Sequence, residues 1–264
     1  MSEQPVLLSK HEGVGSITLN RPAARNALDT SAKKALLMAL RDVAADPSVR
    51  CLVLTGTGQA FCSGQDLKEH GAALTGGDLD ALWSTVREHY NPMALALHTM
   101  DKPTIAAVNG IAAGAGAALA LLSDYRLLTA SAGMNVAFAG IGLSCDTGTS
   151  WTLPRLVGTT RAMDLLLTSR TVSADEALAI GLASEVVDDD AFAARVASLA
   201  AELASGPTLA YAAIREAVSF SASRPLAESL AHEGDLIRRT GATEDHRSAV
   251  DSFLAKRPAR FTGR

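Results

Sequence analysis

From Pro103 to Ser123 the chain runs without a single charged side chain. That stretch is long enough to raise the question of a membrane span. Asn109 and the glycines at 110, 114 and 116 interrupt it, alanine dominates it, and no aromatic anchors flank it. It reads instead as a buried strand, Pro103-Thr-Ile-Ala-Ala-Val108, turned by Asn109-Gly110 into a buried helix of small residues. A buried strand feeding a buried helix is the repeating element of an α/β core.

The rest of the front half supports this reading. Residues 15–20 alternate as a strand should and stop at Arg21-Pro22. Asp29-Thr-Ser31 offers caps for an amphipathic helix to about Ala45, and 50–55 form a short apolar strand closed by Gly56-Thr-Gly58. A loop, 60–67, follows, and 125–129 form a further strand. Two stretches, 50–68 and 103–122, look like variations on one unit: strand, glycine-rich turn, helix start. Beyond Thr159 the pattern is helical, near 159–168, 173–181, 190–205, 208–220, 225–240 and 243–255, with Gly206-Pro207 and Arg224-Pro225 as breaks. The expectation is an α/β core followed by a C-terminal helical layer.

Composition bounds the function. Hydrophobic residues are 48% and charged residues 20% of the 264, which excludes a disordered chain. The net charge of −4, with both signs intermixed, gives no reason to expect a nucleic-acid or anionic-membrane partner. Cys51, Cys62 and Cys145 are odd in number and lack a CxxC pattern, so reduced thiols are expected rather than a disulfide framework or a metal site. The N-terminal residues carry no basic-then-apolar signal segment, and a cytoplasmic location is expected.

Three segments could hold chemistry. In the turn 109–119, the glycines and the helix start leave backbone N–H groups that could stabilise negative charge on an oxygen; close helix packing is the alternative. Phe61-Cys-Ser-Gly-Gln-Asp66 is a second such turn, and the two could converge on one oxygen. In 139–155, Asp146 stands among small, apolar and hydroxyl residues. It is either the cap of a helix starting near Thr147 or a general acid/base whose pKa an apolar pocket would raise.

Together these segments resemble the enoyl-CoA hydratase/isomerase (crotonase) family. The resemblance spans nearly the whole chain, through Leu19-Asn-Arg-Pro, Asn26-Ala-Leu28, Val53-Leu-Thr-Gly, residues 60–67, Lys102 to Gly110, Gly142 to Gly158, Gly181-Leu182 and Phe253-Leu-Ala-Lys-Arg257. It implies an α/β crotonase (ClpP-like) spiral of β-β-α units with an acyl-CoA site over residues 1–195. It also implies a C-terminal helical region, 196–264, for trimerisation and coenzyme A contact. A homotrimer or hexamer acting on an acyl-CoA thioester, with no metal and no separate cofactor, follows from it. The oxyanion hole falls to the backbone N–H groups of Gln65 and Ala115. Arg25, Ser63, Gln65, Asp66, Leu67, Gly114, Phe253 and Lys256 fall in coenzyme A or substrate contact.

The departures matter as much. Hydratases of the family carry two glutamates, which align near Ala118 and Phe138, and neither position holds an acid here. Asp146 falls where the ring-epoxide isomerases of phenylacetate breakdown and the 4-chlorobenzoyl-CoA dehalogenases keep a catalytic aspartate. The resemblance therefore implies an isomerase using Asp146 as acid/base. The alternatives are a broad enoyl-CoA hydratase recruiting Glu88, His89 or His98, an aryl-CoA dehalogenase, and a degenerate acyl-CoA-binding paralogue.

Overall fold

The computed structural model describes residues 4–77 and 79–264. The chain opens with a hairpin, β1 (Val6–His11) and β2 (Val14–Leu19), paired antiparallel. Helix α1 (Thr30–Ala45) follows, capped as expected by the Asp29 carboxylate, which accepts from the Ala32 N–H. Next come β3 (Cys51–Gly56), β4 (Ala60–Cys62), α2 (Leu67–Gly76) and α3 (Leu79–Thr85). A π-helical turn, Val86–Tyr90, joins α3 to α4 (Asn91–His98). Pro92 in the first turn of α4 has no N–H to donate, which accounts for the widened turn before it.

The uncharged stretch then forms β5 (Thr104–Val108), β6 (Ile111–Ala113) and α5 (Ala115–Leu121). The expected strand is there, but a short second strand intervenes before the helix. The expected loop at 60–67 likewise begins with β4. Both additions have one cause. In each unit the long strand joins a six-stranded sheet and the short strand turns away into a second sheet. β7 (Tyr125–Thr129) and β8 (Gly133–Asn135) repeat the move. The likeness between 50–68 and 103–122 is thus structural, and stacking such β-β-α units generates the spiral.

The back half contains α6 (Thr149–Val157), α7 (Thr159–Thr168), β9 (Val172–Ser173), α8 (Ala174–Ala179) and β10 (Glu185–Val187). Four longer helices close the chain: α9 (Phe192–Ser205), α10 (Thr208–Ser221), α11 (Leu226–Gly241) and α12 (Glu244–Leu254). The large sheet runs β1-β2-β3-β5-β7-β10, parallel from β2 onward, and the small one β4-β6-β8-β9. β9 and β10 are too short, at two and three residues, to stand out from the helical pattern around them.

Strand residues alternate between two apolar layers. Leu52, Leu54, Ala106 and Val108 face the main core with α1, α4 and α5, while Cys51, Val53, Ile105 and Leu127 face α9. Residue 195, where the sequence reading divides core from C-terminal region, lies inside α9. On α10–α12, Val218, Leu230, Ile237, Phe253 and Leu254 remain exposed. Among the described residues no helix is long and apolar enough to cross a membrane. The three cysteines are unpaired, and burial pushes the Cys51 and Cys62 thiols up to about 12.

Candidate active site

The turn after β4 is tied to the turn before α1 by a parallel bridge between Leu28 and Gln65. The Leu28 N–H donates to the Gly64 carbonyl at 2.7 Å, and the Asp66 N–H donates to the Leu28 carbonyl at 3.1 Å. Successive amides in an extended segment point to opposite sides. With the Asp66 N–H aimed at Leu28, the Gln65 N–H is turned the other way and has no partner in the chain among the described residues.

The second turn arrives from β6. Gly114 holds φ 51° and ψ −125°, a conformation open to glycine, and its N–H donates to the Asn135 carbonyl at 2.9 Å. The first helical bond of α5 runs from Ala118 N–H to the Gly114 carbonyl, so the Ala115 N–H precedes the ladder and has no partner among the described residues. The two turns abut. A Cβ placed on Gly64, whose φ is +87°, would lie 2.8 Å from the Ala113 carbonyl oxygen and 3.3 Å from the Ala115 nitrogen. Glycine at 64 is therefore what lets the two turns close on each other. Both amides line one cavity of about 140 Å³.

Asp146 lines the same cavity, and among the described residues it is the sole carboxylate there. Its main-chain carbonyl accepts from the Thr149 N–H at 2.9 Å and the Thr149 hydroxyl at 2.8 Å, pinning the residue to the start of α6. The side chain does not cap that helix: Gly148 is the N-cap and no side chain bonds to it. The capping alternative is set aside on this geometry. Burial holds the Asp146 carboxyl above the ordinary carboxylate range, opposed by the Thr147 hydroxyl, which donates to it at 2.7 Å.

Ser63, Leu67 and Gly114, assigned by the resemblance to coenzyme A or substrate contact, join these residues in the cavity wall. Asp66 does not. Its carboxylate caps α2, accepting from the Lys68 and Glu69 N–H groups, and pairs with Arg21 at 3.0 Å. Arg25, Phe253 and Lys256 do not line the cavity either, and Phe253 stands 82% exposed in the last turn of α12. Nor do the alternative acids. Glu88 pairs with Arg87 at the surface, His89 contacts the Thr85 hydroxyl, and His98 lies 2.8 Å from the Ser219 hydroxyl. Of the two glutamate positions, Phe138 lines the cavity and Ala118 is buried within α5.

The remaining wall comes from residues no motif announced. Leu82, Trp83, Val86 and Tyr90 face it from α3 and the π-helical turn, with His70 edge-on to Trp83 at 5.6 Å. Leu82, Val86 and Tyr90 recur every four residues, as on one helix face, with Trp83 beside Leu82, the signal by which sequence could have grouped them. A larger cleft of about 1100 Å³ lies between α9 and the large sheet. It holds neither of the two amides nor Asp146.

Residues 9–264 match the model of the enoyl-CoA hydratase/isomerase family. The chain is 40% identical over 259 residues, 98% of each chain, to the 1,2-epoxyphenylacetyl-CoA isomerase of Escherichia coli K12. It is 43% identical over the full length of both chains to a Rhodobacter capsulatus protein named "Probable enoyl-CoA hydratase". A crystal structure from Mycobacterium abscessus, assigned to enoyl-CoA hydratase/isomerase, superposes with a TM-score of 0.94 at 43% identity, covering 98% of this chain and all of that one. Two convergent backbone amides on a β-β-α spiral, matched along essentially the whole length, make this chain a member of the enoyl-CoA hydratase/isomerase family of acyl-CoA enzymes.

Proposed function

We propose that the protein is an acyl-CoA isomerase, moving a double bond or rearranging a ring epoxide next to the thioester, with Asp146 as acid/base. The observation that carries the reading is a single partly buried carboxylate sharing a small cavity with two backbone amides that have no partner among the described residues. The thioester oxygen accepts from the Gln65 and Ala115 N–H groups. These bonds strengthen as charge moves onto that oxygen, so they lower the barrier rather than only tightening binding. The Asp146 carboxylate takes a proton from the carbon beside the carbonyl, leaving its electron pair in the dienolate, and returns the proton at the γ-carbon. One carboxylate suffices for this, whereas adding water needs both a base for the water and an acid for the α-proton.

The cavity also speaks to the acyl group. Its volume of about 140 Å³ is close to that of a protein cavity of ~150 Å³ known to take benzene. Tyr90, Phe138 and Trp83 wall it. A single ring or a short acyl chain fits better than a long one, which favours an arylacetyl thioester of the kind in the E. coli relative's name. The exposed apolar residues of α10–α12 are what a trimer or hexamer would cover, and light scattering measures that assembly directly.

Incubation with a 3-enoyl-CoA, a 2-enoyl-CoA and an arylacetyl-CoA ring epoxide, followed by product analysis, tests the reaction class. Conversion of the first or third with loss of turnover in Asp146→Asn is expected. Formation of a 3-hydroxyacyl-CoA from the second as the main reaction would assign a hydratase instead, and binding without turnover of any would assign a non-catalytic acyl-CoA-binding protein.

A further inference from the structure

Lys33 is a buried cation beside the cavity that the chemistry above leaves unused. It sits in the first turns of α1, 2% exposed, and its ammonium group donates to the Thr85 hydroxyl at 2.8 Å and to Gln65 Oε1 at 3.3 Å. Glu69 lies 3.6 Å away and also accepts from the Thr30 N–H, joining the starts of α1 and α2. The Tyr90 hydroxyl donates to the same Gln65 oxygen at 2.5 Å, and the Lys33 ammonium stands 5.7 Å from the Tyr90 ring centre. Burying an ammonium group costs several kcal/mol unless its partners are well placed. Here all three polar partners lie around the residue whose main chain carries an oxyanion-hole amide.

We infer that Lys33 and Tyr90 form a clamp on the Gln65 side chain that steadies the direction of the Gln65 N–H. Both are positioning residues, and the inference rests on the oxyanion-hole reading. The side-chain carbonyl of Gln65 accepts two hydrogen bonds from opposite elements, α1 and the π-helical turn. Peptide planarity ties the Gln65 N–H to the Gly64 carbonyl that Leu28 holds, and the clamp steadies the same peptide plane from its Gln65 end against tilting. The ammonium is itself held by Thr85 and Glu69, so the clamp is in place before the substrate arrives.

The test uses the full-length enzyme and cinnamoyl-CoA, whose conjugated thioester absorbs at longer wavelength when its carbonyl is polarised. Wild type is expected to red-shift the bound chromophore. Lys33→Met and Tyr90→Phe should each reduce that shift and lower kcat on the enzyme's own substrate by roughly ten- to a hundredfold, with KM changed less than about threefold. Gln65→Ala keeps the backbone amide but removes the handle, so Lys33→Met added to Gln65→Ala should cost almost nothing more. A structural role would instead give additive losses. If Lys33→Met does not fold, the same cycle is run with Tyr90→Phe. Full retention of shift and kcat in the single variants, or additive losses in the cycle, overturns the clamp. A wild-type protein that binds cinnamoyl-CoA without any shift overturns the oxyanion-hole reading and the clamp with it.

Discussion

The Thr147 hydroxyl donates a 2.7 Å hydrogen bond to Oδ1 of Asp146 from a backbone held at φ 52°. A β-branched residue in the left-handed region is an outlier, at a cost of order 1–3 kcal/mol. Thr147 is 1% exposed, and its hydroxyl opposes the upward push of burial on the Asp146 carboxyl. The strain therefore places a donor beside the acid.

Thr147→Val keeps the β-branch and the strain and removes only the donor. Without that bond the Asp146 carboxyl is released further upward. A base must be ionised to accept a proton, so the acid limb of the kcat/KM profile is expected to move to higher pH than in wild type. A profile measured from pH 4 to 9 checks it, and an unmoved limb would show that another group sets it.

Asp146→Asn should separate stability from activity. A carboxyl whose folded pKa is raised binds its proton more tightly folded than unfolded. Its contribution is favourable below the unfolded pKa and is lost as pH rises through the folded value. At neutral pH the buried charge is thus a burden, and the amide relieves it. The variant is expected to melt a few degrees higher than wild type at pH 7, since about 1 kcal/mol shifts a chain of this size by roughly 2–4 °C. The difference should shrink at pH 4 as the wild-type carboxyl takes up its proton. Turnover should fall by at least a hundredfold while acyl-CoA binding persists.

Much of this site was legible before any coordinates. The glycine-rich turns at 64 and 114 announced close backbone approach, and Asp29, one of the caps offered by Asp29-Thr-Ser31, starts α1. Asp146 could not be resolved from sequence, because an aspartate before Thr-Gly-Thr is as good a helix cap as a catalyst; the Gly148 N-cap removes the side-chain cap reading and leaves the catalytic role as a proposal. Asp66 is the converse. Next to Gln65 in sequence, it looked like part of the substrate channel, yet Arg21 and the α2 amides occupy it. The clamp on Gln65 was invisible for a topological reason. Lys33 and Tyr90 are separated by the whole of β3, β4, α2 and α3, and no local pattern joins them.

The closeness of the two turns makes Gly64 a sensitive position. Gly64→Ala forces a methyl to within 2.8 Å of the Ala113 carbonyl oxygen in a backbone that L side chains rarely adopt. Something must move, and the nearest main chain is the segment carrying the Ala115 amide. Losing one such donor typically costs 2.7–4 kcal/mol, about 10²–10³ in kcat. The variant is expected to fall in that range, with a destabilisation of about 1–3 kcal/mol in urea unfolding from the strained fit. Near-normal kcat would mean that the Ala115 amide is not required.

The wall formed by Trp83 should discriminate between acyl groups. Trp83 is 44% exposed and lines the cavity, with an edge contact to His70. Stacking against a substrate ring would add about 0.5–1.5 kcal/mol to the area it buries, and a short aliphatic acyl group would forgo that part. Trp83→Ala is therefore expected to raise KM for a phenylacetyl-type thioester by roughly three- to thirtyfold. For a four-carbon enoyl-CoA the rise should be no more than about threefold. Measuring KM for both on the same preparation checks it. Equal losses would mean that the indole supports the α3 wall and does not read the acyl group.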